Sequence, residues 1–136
     1  SKNRVNIPAP IRKQFLKKDK KTFVVTRGID QCAWIYPISE WNLIQKKLNR
    51  LSSLSKTNRL FLRNHLRHAN ILKFDSQGRF VLPQSLIDYT SIKKDVTIIG
   101  VLNKIEIWNP NLLRKIDKSE EIDDQSYEQL SERVNI

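Results

Sequence analysis

Cysteine is nearly absent from this chain: Cys32 stands alone among 136 residues. No internal disulfide framework can form, which fits a reducing compartment such as the cytoplasm. One thiol and two histidines, His65 and His68, are too few for a standard zinc site. With only three glycines there is no Gly-rich phosphate loop, and no pairing of nucleophile with base is evident. No apolar run approaches the roughly 20 residues that span a bilayer, and no signal-peptide pattern is visible. An enzyme is therefore the weakest class of reading; no cofactor, no metal, no membrane and no small-molecule substrate are expected.

Acid is also scarce over most of the length. Lysine and arginine total 25 against 14 aspartates and glutamates, a net charge of +11 with a pI near 10.0. From Asp117 to Ile136 there are seven acidic and two basic residues, net −5, so the preceding 116 residues carry +16. A folded body that basic attracts a polyanion, most commonly nucleic acid, through counterion release. The bland alternative is a lysine-rich surface that only keeps the protein soluble. At 16.0 kDa and 39% hydrophobic residues, the chain is long enough to bury a sizeable core as one compact domain or two very small ones.

What the chain does have is a repeat. Arg4-Val-Asn-Ile-Pro8 is answered by Arg79-Phe-Val-Leu-Pro83, Leu16-Lys17-Lys18-Asp19 by Ile92-Lys93-Lys94-Asp95, and Trp34-Ile35-Tyr36-Pro37 by Ile107-Trp108-Asn109-Pro110. The offsets of 75, 76 and 73 place the length differences in loops. Such a repeat marks one supersecondary unit used twice. We read a first half over 1–48, a connecting helix within 49–70, a second half over 71–116, and an acidic tail over 117–136. The offset pairs Ser76 with Ser1, so the counterpart of Asp75 and of the strand before it is expected upstream of the first residue.

Each half reads as strand, helix, hairpin. Short strands are predicted at Arg4 to Ile7 and Phe80 to Leu82, followed by Pro8-Ala-Pro10 and Pro83-Gln-Ser85 in the first turn of a helix, where proline loses no hydrogen bond. Ile11, Phe15 and Leu16 supply the buried face of the first helix, and Leu86, Tyr89 and Ile92 that of the second. The hairpins are Phe23 to Val25 with Ala33 to Tyr36, and Val96 to Ile99 with Ile105 to Trp108. Helices are also predicted from Ser39 and Glu40 through Trp41, Ile44 and Leu48, from Thr57 or Asn58 with Phe61 or Leu62, Leu66 and Ala69 inward, and from Asn109 and Pro110 through Ile116. Trp34, Trp41 and Trp108 are expected in the core or a subunit contact. The tail is expected to be partly disordered or helical against a neighbour.

The motifs Arg4-Val-Asn-Ile-Pro8-Ala and Asp75-Ser-Gln-Gly-Arg79-Phe-Val-Leu-Pro83, with Thr26-Arg27-Gly28, Tyr36-Pro37, Glu40-Trp41 and Glu106-Ile107-Trp108, resemble the MraZ family of bacterial transcriptional regulators. The resemblance covers all but about the last twenty residues. It implies an α+β fold: a duplicated swapped-hairpin β-barrel of the AbrB and SpoVT type with flanking helices. It also implies ring-shaped homo-oligomers and binding to short direct repeats in double-stranded DNA upstream of the division and cell wall gene cluster, hence a nucleoid-associated protein. Each half of that family carries Asp-x-x-x-Arg, intact here as Asp75 and Arg79 and represented in the first half by Arg4. The resemblance thus makes Arg4 and Arg79 DNA-facing, with Lys2 and Asn3 beside one and Gln77 beside the other. Arg12 matches an arginine four residues after the proline, while Asn3 replaces the usual turn glycine and can adopt its positive φ. Gly78, Pro8, Pro83 and Asp75 are the turn and structural positions.

The chemistry can be argued from the residues alone. An arginine projected by a turn can bind guanine O6 and N7 with two parallel bonds, while lysines such as Lys17 and Lys18 hold phosphates. The competing reading of Asp75 and Arg79 is a local Asx-turn closed by an ion pair that only pins the strand start. Arg59, Arg63 and Arg67 form a stripe at i, i+4 and i+8, read as a solvated face, with phosphate or the acidic tail as lesser alternatives. A functional rival is an antitoxin-like interaction module of the same fold.

Overall fold

The computed structural model describes residues 3–15 and 22–136. Lys2, Leu16, Lys17 and Lys18, and the side chain of Phe15, lie outside the described residues. Thirteen elements follow in order: β1 (Arg4–Asn6), α1 (Ala9–Phe15), β2 (Thr22–Arg27), β3 (Ala33–Pro37), α2 (Ile38–Leu48), α3 (Lys56–Arg67), β4 (Asn70–Lys73), β5 (Arg79–Val81), α4 (Gln84–Thr90), β6 (Thr97–Val101), β7 (Lys104–Trp108), α5 (Pro110–Ser119) and α6 (Asp124–Val134).

The strands form two antiparallel sheets, a ribbon β1-β5 and an open sheet in the order β4-β2-β3-β7-β6. In the ribbon Val5 faces Phe80, while Arg4 faces Val81 and Asn6 faces Arg79. Residues 75 apart therefore exchange places across the pair. The flanking bonds obey the same exchange: Ile7 N donates to Gly78 O and Leu82 N to Asn3 O. In the larger sheet β3 pairs with β7, joining the two hairpins edge to edge.

The expected closed barrel does not form among the described strands. Pro8 and Pro83 follow the ribbon strands closely, and proline has no N–H with which to extend a ladder. The ribbon ladder therefore ends within a few residues, and the two strands pack on the larger sheet by side chains. Val5, Ile7, Phe80 and Leu82 meet Phe23, Val25, Ile35, Ile105 and Ile107 in one core. Phe23 is its centre, stacked on Phe74 at 4.4 Å between centroids and meeting Phe80 edge-on at 5.0 Å.

The alternating residues of β2 and β3 turn to the other face, where Val24, Tyr36 and Trp41 form a second cluster with Trp34, Ile44 and Ala69 around them. The central strands are covered on both sides, which is why Phe23 to Thr26 reads as an unbroken buried run. Here the sequence expectation for α3 needs correction. Ser55, not Thr57 or Asn58, caps the helix, its hydroxyl accepting from Asn58 N. The inward residue is His65, while Leu66 is exposed. An aromatic floor explains the exchange: the His65 ring stacks on Phe61 and lies 6.0 Å from Trp41, and its carbonyl accepts the Thr26 hydroxyl proton at 2.7 Å. Trp108 and Trp41 are buried, whereas Trp34 is half-buried and donates Nε1–H to Glu106 at 3.2 Å.

The acidic tail is helical. Asn109 caps α5 by accepting from Asn111 N and Leu112 N, with Pro110 in the first turn. Asp123 caps α6 through Ser126 N.

Candidate nucleic-acid interface

The strand alternation that buries Val5 and Phe80 turns Arg4, Asn6, Arg79 and Val81 outward. Arg4 and Arg79 thus share the outer face of the ribbon as diagonal neighbours, about 7 to 8 Å apart at the backbone.

The turn before β5 is organised by one carboxylate. Asp75 Oδ1 accepts from Gln77 N at 2.8 Å and Arg79 N at 2.9 Å, while Oδ2 accepts from Arg79 Nε at 3.1 Å. The backbone closes with Gly78 N donating to Asp75 O and Asp75 N to Arg79 O. These donors, the Arg79 backbone N–H foremost, hold the Asp75 carboxyl below the ordinary aspartate range. Asp75 and Arg79 are the one ion pair among the described residues. The guanidinium is therefore aimed by its Nε, and its terminal nitrogens have no hydrogen-bond partner among the described residues.

Gly78 has φ +76° and its equivalent Asn3 has φ 69°. Asparagine reproduces the left-handed turn, as expected from its tolerance of positive φ. Its side chain reaches Gln84 Oε1 at 3.3 Å. Arg12 behaves differently from Arg4. It is half-buried, donates Nε–H to Ile7 O at 2.8 Å, and lies across Gly78 so closely that a Cβ there would sit 2.6 Å from its Nε. Arg12 braces the first half against the second-half turn. Pro8 is exposed beside it, and Pro83 is the residue before α4. Gln77 is exposed next to Arg79.

Two further cations belong to this surface. Lys93 and Lys94 line a cleft of about 490 Å³ with Asn3 and Arg4, and a neighbouring cleft with Arg114. The repeat carried the signal for them, because they stand where Lys17 and Lys18 stand in the first half. Arg27, by contrast, is committed: it lies 4.3 Å over the Tyr89 ring and donates to the Tyr89 hydroxyl.

Other reactive groups are sheltered. Burial, aided by Glu106 and Asp30, pushes the Cys32 thiol up to about 12. Burial and then Arg27 lower His65, with the same direction and causes for His68 together with Arg67. No group of three or more potential metal ligands occurs among the described residues, and no helix there is long and apolar enough to cross a membrane.

Comparison with known proteins gives a consistent result. The family described as "MraZ protein, putative antitoxin-like" matches twice, over residues 1–64 and 65–134. The protein named Transcriptional regulator MraZ from Clostridium tetani is 38% identical over 137 residues, covering 99% of this chain and 89% of that one. Its namesake from Natranaerobius thermophilus is 38% identical over 134 residues, covering 98% and 89%. That from Pediococcus pentosaceus is 42% identical over 109 residues, covering 80% and 73%. The name they share denotes a regulatory, non-enzymatic role. With two tandem matches that together run through nearly all of the sequence, the chain belongs to the MraZ family.

Proposed function

We propose that this chain is a sequence-specific DNA-binding transcriptional regulator, working on the nucleoid in the cytoplasm. The observation that carries this reading is the outward pair Arg4 and Arg79 on the ribbon of a strongly basic body. Asp75 holds Arg79 through Nε, leaving the two terminal nitrogens as an end-on fork that matches guanine O6 and N7. The Asx-turn and the DNA-reading role are then parts of one device: the turn aims the side chain that reads. Lys93, Lys94 and, by the repeat, Lys17 and Lys18 with Lys2 supply phosphate contacts that fix register without reading sequence.

The target is taken to be short direct repeats upstream of the division and cell wall gene cluster, bound by a ring-shaped homo-oligomer. Two halves, 1–48 and 71–116, each present one turn in a swapped-hairpin arrangement. Repetition around a ring adds weak contacts by avidity. Arg79→Ala and Arg4→Ala should each lower affinity for the cognate site by about 5- to 150-fold, from about 1 to 3 kcal/mol of base discrimination, with little change on random DNA. Equal losses on both DNAs would reduce these arginines to phosphate contacts and remove the sequence-reading role. The rival reading, an antitoxin-like interaction module, draws on the exposed apolar residues Tyr127, Leu130 and Val134 of α6. Copurification of a small toxin-like protein in place of DNA would favour it.

A further inference from the structure

Helix α3 presents Arg59, Arg63 and Arg67 at i, i+4 and i+8, all exposed. With Lys56 the helix carries four cations and no acidic residue. Helix α6 carries the opposite pattern, Asp124, Glu128 and Glu132 at the same spacing and also exposed. At 1.5 Å rise per residue each stripe runs about 12 Å along one helix face, so the two match in length as well as in sign. Neither stripe meets its complement among the described residues, where the only ion pair is Asp75 with Arg79. Arg59 donates to the loop carbonyls of Ser53 and Leu54 and Arg67 to Asn64 Oδ1, while Arg63 has no hydrogen-bond partner among the described residues.

Both helices also expose apolar residues, which on α6 lie on a different face from the carboxylates, about 130° round the axis at roughly 100° per residue. Leu60 and Leu66 flank the arginines of α3. On α6, Tyr127, Leu130 and Val134 recur at helical spacing and are 64%, 47% and 64% exposed. A merely solubilising acidic helix has no need of that stripe.

We propose that α6 of one copy docks on α3 of a second copy of this chain, its acidic stripe against the arginines, with Leu60 and Leu66 at the margins of the contact. The inference rests on the reading that the protein is a homo-oligomer, and supplies the surface for it. Because two different patches meet, the contact either is reciprocated in a two-fold pair or repeats head to tail into a ring or filament, and the measured mass separates the two. It also leaves the ribbon face with Arg4 and Arg79 open to DNA while neutralising cations that would otherwise bind phosphate without selectivity.

The experiment uses the full chain and two double variants, Arg63→Glu/Arg67→Glu and Glu128→Arg/Glu132→Arg, with mass measured by light scattering across a concentration series. Each variant alone places like charges opposite one another and should raise the concentration for half-assembly by about tenfold or more. An equimolar mixture should regain assembly, because the reversed α6 of one variant then meets the reversed α3 of the other, and the native α6 of the second meets the native α3 of the first. Unchanged circular dichroism, expected at exposed positions, shows that the variants fold. Raising salt to about 1 M, where screening acts within about 3 Å, should also weaken the parent assembly. Wild-type mass in both variants, or a mixture that fails to reassemble, overturns the contact. A monomeric parent protein instead removes the oligomer reading itself. If Arg63→Glu/Arg67→Glu keeps its mass but loses affinity for random DNA, α3 faces phosphate and the proposal fails.

Discussion

Replacing Gly78 with alanine tests how the candidate interface is built. Two penalties can be separated at that position. With φ at +76°, any L side chain pays for the left-handed conformation, about 1 to 2 kcal/mol. The new Cβ would also lie 2.6 Å from Arg12 Nε and 2.7 Å from Nη1, well inside contact distance. Arg12 must then swing away and give up its 2.8 Å bond to Ile7 O, a charge-assisted bond to a half-buried carbonyl worth about 1.5 to 3 kcal/mol. The flexible guanidinium recovers part of that loss in water, so the total expected is about 2 to 4 kcal/mol. For a chain of this size that lowers the melting temperature by roughly 6 to 12 °C.

The measurement is urea unfolding followed by tryptophan fluorescence at fixed protein concentration, on Gly78→Ala, Gly78→Asn, Arg12→Ala and the Gly78→Ala/Arg12→Ala double variant. Asparagine relieves the φ penalty, as Asn3 does at φ 69°, but retains the collision. Gly78→Asn should therefore fall between the parent and Gly78→Ala. The double variant should be less destabilised than the sum of its parts, because a missing guanidinium cannot be displaced twice. Strict additivity would refute the brace, and a loss under about 0.5 kcal/mol for Gly78→Ala would refute the whole account of the turn. Sequence-specific DNA binding should fall with Gly78→Ala beyond the stability effect, since the same turn holds Arg79.

Lys93→Ala and Lys94→Ala should weaken cognate and random DNA alike and flatten the salt dependence of binding by roughly one unit each; an unchanged slope in filter-binding or anisotropy titrations would take them off the interface. His65 has its folded-state pKa lowered, so the unfolded chain binds the proton more readily than the folded one. Its contribution is complete above about pH 6.5 and is lost as pH falls from there through the lower folded value. Thermal midpoints should therefore decline across that interval, and His65→Phe should reduce the decline; an undiminished pH dependence would place its origin elsewhere.

The repeat made much of this architecture legible before any coordinates. A motif that recurs at a 75-residue offset has to be met by its own copy wherever the halves pair, and the Val5 to Phe80 register is that meeting. The helix expected after Pro83 also marked Leu86 and Ile92 as core, and Asn109 with Pro110 marked the start of α5. What it could not carry was competition between groups. Leu66 and His65 both fit the inward face of α3, and apolar preference chose leucine. The aromatic floor of Trp34, Trp41 and Phe61, together with Thr26 reaching the His65 carbonyl, chose histidine. The same limit applies to Arg12, Arg4 and Arg79. The repeat sets Arg4 and Arg79 apart as equivalents, since Arg12 answers to the apolar Ile87, but it assigns none of the three its neighbours. The fold does so through different neighbours: Gly78, 66 residues away and with no Cβ, admits Arg12 across the turn, Asp75 four residues earlier grips Arg79 by one nitrogen, and β-strand alternation turns Arg4 outward. One arginine becomes a brace, one an aimed fork and one an exposed side chain, so the division of roles lies partly in a long-range contact and partly in local geometry that residue type alone does not specify.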